Sequence, residues 1–212
     1  MITPPNMDQE VEIKLDLGSF TNYLKLMGFL GQVDREVRQH NGFFDTEDRR
    51  LSQLGWAFRV RAEDERGLIT VKSMASEVGD AFVRDEIEGE IPRSRAIDCL
   101  NLNTDLMGFD LEPVRFVREQ LGPVPVAVLV KFDNLRQSKT FRLGDYDYTL
   151  EIDSTDFADG SVEYELEVEL PDTSKVDIVT DGLRKMFSSL GIPYESQTES
   201  KFYRALQKAG IR

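Results

Sequence analysis

The sequence predicts an α+β protein in which about eight strands form a largely antiparallel sheet, curled or closed, with helices laid against it. Three observations predict this. Most of the 212 residues alternate apolar and polar side chains with period two, the strand pattern. The alternating stretches are joined mostly by short turns, which suit antiparallel neighbours. Helical periodicity is confined to a few segments, too few to cover both faces of a parallel sheet.

Residues 1–8 (MITPPNMD) contain Pro-Pro and no periodicity, and read as a flexible leader. No Pro/Gly/Ser-rich linker divides the rest, so 9–212 is expected to form a single domain. Val11, Ile13 and Leu15 alternate with Glu10, Glu12 and Lys14. Residues 19–30 place Phe20, Tyr23, Leu24, Met27 and Leu30 on one helical face, with Ser19 as N-cap. A strand is expected over 38–44. Phe58 and Val60 alternate with Arg59 and Arg61, and 68–72 pairs back through the polar turn 63–67. Residues 82–91 alternate around Glu86, Glu88 and Glu90. Residues 94–107 and 113–121 are weaker helical segments. Two strands are expected over 126–136 and 138–143. Tyr148, Leu150 and Ile152 alternate with Thr149, Glu151 and Asp153. Tyr164, Leu166, Val168 and Leu170 alternate with four glutamates, Glu163 to Glu169. The clearest helix is 174–190, where Val176, Val179, Leu183, Met186, Phe187 and Leu190 form a stripe and Gly191 stops it. Ser196 and Glu199 have capping-box spacing before Phe202 and Leu206, which predicts a last helix.

The chain carries 26 basic and 39 acidic residues, a net charge of −13, and 40% apolar residues including 13 Phe. A sizeable core is therefore expected. One His and one Cys exclude a Cys/His zinc site and an intramolecular disulfide. A Ser-His-Asp mechanism would rest on His40 alone. No apolar run approaches the roughly 18 residues of a membrane span and no signal-peptide pattern is present, so a cytoplasmic protein is expected. The negative charge disfavours duplex nucleic acid and membranes as partners. His40 reads as structural or surface, Cys99 as a small buried hydrophobe, and Trp56 as core or rim packing, with stacking on a thiamine or purine ring as its alternative. Arg204, Lys208 and Arg212 read as solvated.

A half-polar strand ordinarily turns its polar face to water. Here the polar face recurs in several strands with different signs. Glu10/Glu12, Glu86/Glu88, Glu151/Asp153 and Glu165/Glu167 present acids, while Arg59/Arg61, Lys72 and Arg136 present bases. If the sheet closes with these faces inward, the interior is a polar tunnel and the apolar faces pack under helices. Closure also removes edge strands. Such a lining needs partners: divalent cations for the carboxylates and a polyanion for the basic set. Glu10/Glu12 with Glu165/Glu167 would make one metal nest if their strands are neighbours, since adjacent strands lie about 4.8 Å apart.

These residues resemble the CYTH superfamily, the triphosphate tunnel metalloenzymes. E-V-E-I-K at residues 10–14 resembles its E-x-E-x-K signature. N-G-F-F-D-T at 41–46 with Leu51, F-R-V-R at 58–61, T-V-K at 70–72 and R-D-E-I-E at 84–88 follow in order. N-L-R at 134–136, L-E-I-D at 150–153, Y-E-L-E at 164–167 and S-K-F at 200–202 complete the set. N-G-F-F-D-T and F-D-N-L-R look most like members from plants and related thiamine-triphosphatase-like proteins.

The resemblance implies a closed eight-stranded antiparallel β-barrel, a tunnel with a charged interior and helices outside. It implies a small-molecule triphosphate substrate bound with Mg²⁺ or Mn²⁺. Lys14, Arg59, Arg61, Lys72, Arg136 and Lys201 would hold phosphate oxygens. Glu10, Glu12, Asp153, Glu165 and Glu167 would serve the metal, and Lys201, Glu12 and Glu167 are the candidate catalytic residues. Glu86 and Glu88 are further tunnel acids, with Glu88/Glu90 as the alternative pair. The expected reaction is hydrolysis of inorganic tripolyphosphate or thiamine triphosphate to a diphosphate and phosphate, by a monomer or homodimer. The alternatives are a class IV adenylate cyclase and a non-catalytic triphosphate- or polyphosphate-binding module.

Overall fold

The computed structural model describes residues 7–102, 104–144 and 146–211. The first strand begins at Asp8, inside the stretch read as a leader; residues 1–6 and Arg212 lie outside the described residues.

Ten strands occur among the described residues: β1 (Asp8–Asp16), β2 (Arg35–Asp45), β3 (Trp56–Glu63), β4 (Arg66–Ser73), β5 (Ser76–Val78), β6 (Ala81–Pro92), β7 (Ala127–Leu143), β8 (Tyr146–Asp156), β9 (Val162–Leu170) and β10 (Glu195–Ser196). Eight of them form a ring in the order β1-β9-β8-β7-β2-β3-β4-β6, and β6 returns to β1, with Glu10 opposite Arg84. Every pairing is antiparallel. The short β5 and β10 add to β6 and β1 outside the ring. The structure is thus the closed eight-stranded barrel.

Among the described residues six α-helices lie around it: α1 (Phe20–Leu30), α2 (Arg50–Gln53), α3 (Arg93–Leu100), α4 (Glu112–Leu121), α5 (Val176–Leu190) and α6 (Lys201–Lys208). The period-two pattern decides which side they cover. Ile13, Leu15, Leu150, Ile152, Leu166 and Val168 pack beneath α1 and α5. Phe58, Val60, Ile69, Val71 and Ile87 pack beneath α3 and α4. Each such fully buried side chain contributes about 1.5–3 kcal/mol. The helices thus hold the apolar faces outward and leave the charged faces to the interior. Gly67 on β4 lets α3 come close: a Cβ there would lie 2.4 Å from the Ala96 Cβ.

Local signals explain most element ends. The Ser19 Oγ accepts the Asn22 amide hydrogen at 3.2 Å and caps α1. Gly191, at φ 60°, takes the left-handed conformation that ends α5. The motif residue Asp45 is structural: buried, its carboxylate accepts from the backbone N–H groups of Thr46, Leu51 and Ser52 and so starts α2.

The short elements α2, β5 and β10 have no counterpart in the sequence expectation, and three expected elements differ. Residues 126–136 and 138–143 belong to one 17-residue strand, β7. No Gly or Pro interrupts it, and the polar Gln137 is held on the outside, accepting from the Tyr23 hydroxyl at 2.6 Å and donating to Glu36 at 2.8 Å. The helix expected over 94–107 ends at Leu100, because Leu102 at φ 59° leaves helical geometry; a 3₁₀ turn follows at Leu106–Gly108. The last helix is capped by Ser200, whose Oγ accepts from the Tyr203 amide at 3.1 Å. Ser196 instead pairs with Leu15 in β10.

Candidate active site

The interior forms one cavity of about 990 Å³. Lys14, Arg59, Arg61, Lys72, Arg136 and Lys201 line it, with Glu10, Glu12, Glu86, Glu88 and Glu167. Asp153 and Glu165 lie behind this lining, 0% and 1% exposed. The expected site residues are therefore gathered around one space, in three groups.

The first group joins β1, β4 and β6. The Lys72 Nζ donates to both Glu10 carboxylate oxygens at 2.9 Å and lies 2.8 Å from Glu86. The Arg84 Nε donates to Glu10 at 2.6 Å, and its guanidinium also pairs with Glu12. Lys14 lies 3.3 Å from Glu12 and over the Phe82 ring. Sequence reasoning missed Arg84 as a tunnel base, although it shares the parity of Phe82 and Glu86. Along that face exposure rises outward: the side chains of Glu86, Glu88 and Glu90 are 17%, 39% and 65% exposed. Glu86/Glu88 is thus the deeper pair, and Glu90 sits beside Arg66 at the rim.

Burial opposes ionisation of Glu10, but Lys72 and Arg84 outweigh it and hold its carboxyl at about 2. A carboxyl depressed on folding adds stability above its ordinary value, near 4.5, and loses it as pH falls toward 2. Urea unfolding should therefore find Glu10→Gln less stable than the parent at pH 7, with the gap clearly narrower at pH 3. A gap that persists unchanged at pH 3 would contradict the pairing.

The second group lies on β7, β8, β9 and α6. Register places Arg136 opposite Asp153, Asp153 opposite Glu165, and Glu151 opposite Glu167. Carboxylates directly opposite repel unless cations intervene. Arg136 donates to Asp153 at 2.8 and 2.6 Å and also bonds Glu151 and Glu167. The Lys201 Nζ is 2.8 Å from Asp153, 2.9 Å from Glu167, and bonded to Glu165. Burial presses the Lys201 ammonium well below its usual range against the pull of Asp153. Burial likewise raises the Glu151 carboxyl; Arg136 opposes that rise, while Glu167 and Asp153 add to it.

Arg204 and Lys208 are not solvated as expected. Arg204 is 5% exposed and bonds Glu163 at 2.7 Å and Glu165; Lys208 lies 2.7 Å from Glu163. Helical spacing turns them to the same side as Lys201, a relation that appears only once α6 is docked on β9.

The third group is Arg59 and Arg61 on β3. Their nearest carboxylates, Glu88 and Glu63, are 3.9 Å away. The Arg59 Nε is buried without a hydrogen-bond partner. Burial and the neighbouring Arg59 and Arg136 lower Arg61. Its Nε donates to Asn41 at 2.9 Å. Beside it a buried belt crosses five adjacent strands. Thr155 donates to Asn134 at 2.9 Å, Asn134 to Gln39 at 3.0 Å, and Gln39 to Glu63 at 2.9 Å; Arg66 donates to Glu63 from the other side. Uncharged amides carry no patterning signal, so sequence reasoning missed this belt.

The nest imagined from Glu10, Glu12, Glu165 and Glu167 does not assemble as such. Strands β1 and β9 are neighbours, but register sets Glu12 opposite Glu169 and Lys14 opposite Glu167. Among the described residues one three-carboxylate group brings its oxygens within 4.8 Å of one another: Asp153, Glu165 and Glu167. All its donors are hard oxygens, which suit Mg²⁺ or Mn²⁺. With Glu151 it sets four carboxylates against the three cations Arg136, Lys201 and Arg204. These residues therefore fit a divalent ion.

The remaining singled-out residues have structural places. His40 is half-exposed beside Asp133 at 2.8 Å. Cys99 is buried, and burial pushes its thiol up to about 11. Trp56 lines the cavity and meets Phe116 edge-on at 4.7 Å.

Comparison with known proteins agrees with the barrel. Residues 8–203 match the CYTH domain. The chain belongs to the CYTH family. The CYTH assignment is matched by solved structures. HpAC1 from Hippeastrum, named as an adenylyl cyclase and described as having a dominant triphosphatase activity, is 26% identical; the match covers 96% of this chain and 97% of that one, with a TM-score of 0.82. A Bacillus halodurans protein named as an adenylate cyclase is 20% identical over 92% and 97% of the two chains, TM-score 0.70. The PH1819 protein of Pyrococcus horikoshii is 17% identical over 94% and 99%, TM-score 0.60. No curated protein matches the sequence. No helix among the described residues is long and apolar enough to cross a membrane.

Proposed function

We propose that this CYTH protein is a divalent-metal-dependent hydrolase of a triphosphate, inorganic tripolyphosphate or thiamine triphosphate, yielding a diphosphate and phosphate. The observation that carries the reading is uneven charge pairing around one cavity. Among the described residues Arg59 and Arg61 have no carboxylate closer than 3.9 Å, whereas Asp153, Glu165 and Glu167 crowd within 4.8 Å. Buried guanidinium groups in that state are stabilised by an anion with several oxygens. Crowded carboxylates are stabilised by a cation of more than one charge. A triphosphate with Mg²⁺ or Mn²⁺ supplies both. The dominant triphosphatase activity of the Hippeastrum relative supports the same reading.

Phosphoryl transfer needs positioning and charge neutralisation more than covalent chemistry, so one peripheral histidine is no obstacle. Arg59, Arg61, Lys14, Lys72 and Arg136 would bind and orient the phosphate oxygens. Asp153, Glu165 and Glu167 would hold the metal, with Glu10 and Glu12 offering carboxylates from β1. A divalent ion there supplies neutralisation of phosphate charge and polarisation of the phosphorus–oxygen bond. In the reaction a water oxygen bonds to the terminal phosphorus. The bond to the bridging oxygen breaks, its electron pair leaves on the diphosphate, and the attacking water gives up a proton to solvent or to the departing diphosphate.

The test is a panel of tripolyphosphate, thiamine triphosphate and ATP with Mg²⁺, Mn²⁺ or EDTA, assayed for phosphate, pyrophosphate and cyclic AMP. Metal-dependent phosphate release from either of the first two is expected. Cyclic AMP with pyrophosphate from ATP would replace this reading by a cyclase, and binding without turnover by a binding module. Losing a charge-assisted contact, Arg59→Ala should raise KM about 10- to 100-fold with a smaller change in kcat. An unchanged KM would remove Arg59 from the phosphate site.

A further inference from the structure

We propose that the Lys201 ammonium is the resident cation of the Asp153–Glu165–Glu167 cluster, and that a divalent metal binds there by displacing it. The inference rests on the metal reading above and adds what the metal competes with. The Lys201 Nζ takes one oxygen from each of the three carboxylates: Asp153 at 2.8 Å, Glu167 at 2.9 Å, and Glu165. Each of its three N–H groups therefore has an acceptor. The same three carboxylates each bring one oxygen within 4.8 Å of the others, the arrangement a metal would use. A divalent ion at the centre of this trio would take the position that the Lys201 Nζ holds, so binding is an exchange.

The surroundings let the side chain leave while its helix stays. Lys201 is the first residue of α6. The rest of the helix is anchored separately. Arg204 bonds Glu163 at 2.7 Å and Glu165, Lys208 lies 2.7 Å from Glu163, and Phe202 stacks on Phe43 at 4.5 Å. Lys201, Arg204 and Lys208 occupy one edge of α6, facing Glu163, Glu165 and Glu167 on one face of β9. Exchange of a single charge for a double one also offsets the surplus of carboxylate around Arg136. The freed ammonium then shares the cavity with Arg59 and Arg61, where like charges repel it until a phosphate arrives. Metal and triphosphate binding should therefore reinforce each other reciprocally.

The experiment is a calorimetric titration of Mn²⁺, without substrate, into the parent protein, Lys201→Met and Lys208→Met. Lys201→Met should bind Mn²⁺ at least about tenfold more tightly, because its carboxylates have lost their internal counter-charge. Lys208→Met, whose lysine pairs with Glu163 and lies over the Phe157 ring, away from the carboxylate trio, should bind as the parent does. If the parent binds Mn²⁺ and Lys201→Met binds no more tightly, displacement is overturned while the metal reading stands. If the parent binds no Mn²⁺, both fall. Because the metal-free variant is expected to be less stable, melts in EDTA and in Mn²⁺ give a second measure. The Mn²⁺-induced rise in Tm should be larger for Lys201→Met than for the parent, and an equal or smaller rise overturns the proposal.

Discussion

Glu167→Gln is expected to lower phosphate release from tripolyphosphate by about a hundredfold or more, and to weaken Mn²⁺ binding in calorimetry alongside. Glu167 earns this place by geometry. It belongs to the close carboxylate trio, bonds Arg136 and Lys201, and stands opposite Lys14 in the β1–β9 register. One residue thus touches the candidate metal site, two candidate phosphate ligands and the strand carrying Glu12. An amide keeps the shape but removes the charge that a divalent ion needs. A variant within about threefold of the parent in both rate and Mn²⁺ affinity would remove Glu167 from the site.

Arg136→Met is expected to cost about 3–5 kcal/mol of stability at pH 7, read by urea unfolding. The Arg136 side chain is only 15% exposed and bonds Asp153 twice, with further bonds to Glu151 and Glu167. Its removal leaves Asp153 and Glu167 with Lys201 and takes away the cation that Glu151 pairs with. The sign with pH follows from Asp153. Burial opposes its ionisation, but Arg136 and Lys201 outweigh burial and hold its carboxyl below the usual range. The stability it contributes is present above the ordinary carboxylate value and is lost as pH falls. The gap between parent and variant should therefore narrow in acid. A loss below about 1 kcal/mol at pH 7 would mean that Lys201 alone suffices to neutralise the group.

The patterning of particular strands made the barrel legible. On β1 the apolar Val11, Ile13 and Leu15 could only seek cover, and Glu10, Glu12 and Lys14 had to face the other way. The same logic held for Arg59/Arg61 and for Glu165/Glu167, and it placed the candidate bases and acids around one cavity. It failed where a side chain's partner lies far along the chain. Gln137 read as a strand break because nothing nearby in sequence reveals Tyr23 and Glu36 as its partners. Arg204 read as solvated because its carboxylates lie on β9. The belt from Thr155 to Glu63 is assembled from single polar residues on four strands, none of them unusual alone.

Sequence alone determined that this protein carries its acids and bases on one face of an antiparallel sheet, because side-chain direction along a strand has a fixed period of two; closure of the barrel turned that face inward. The chain's one His and one Cys also excluded a Cys/His zinc site. Only the tertiary structure decided which charges meet. The barrel register set Glu12 across from Glu169, drew Arg84 onto Glu10 and Glu12, and gathered Asp153 with Glu165 and Glu167. The docking of α6 then put Lys201 among those three carboxylates. Parity tells a residue which face it takes. Register and helix docking, set by packing between distant segments, tell it which partner it finds there.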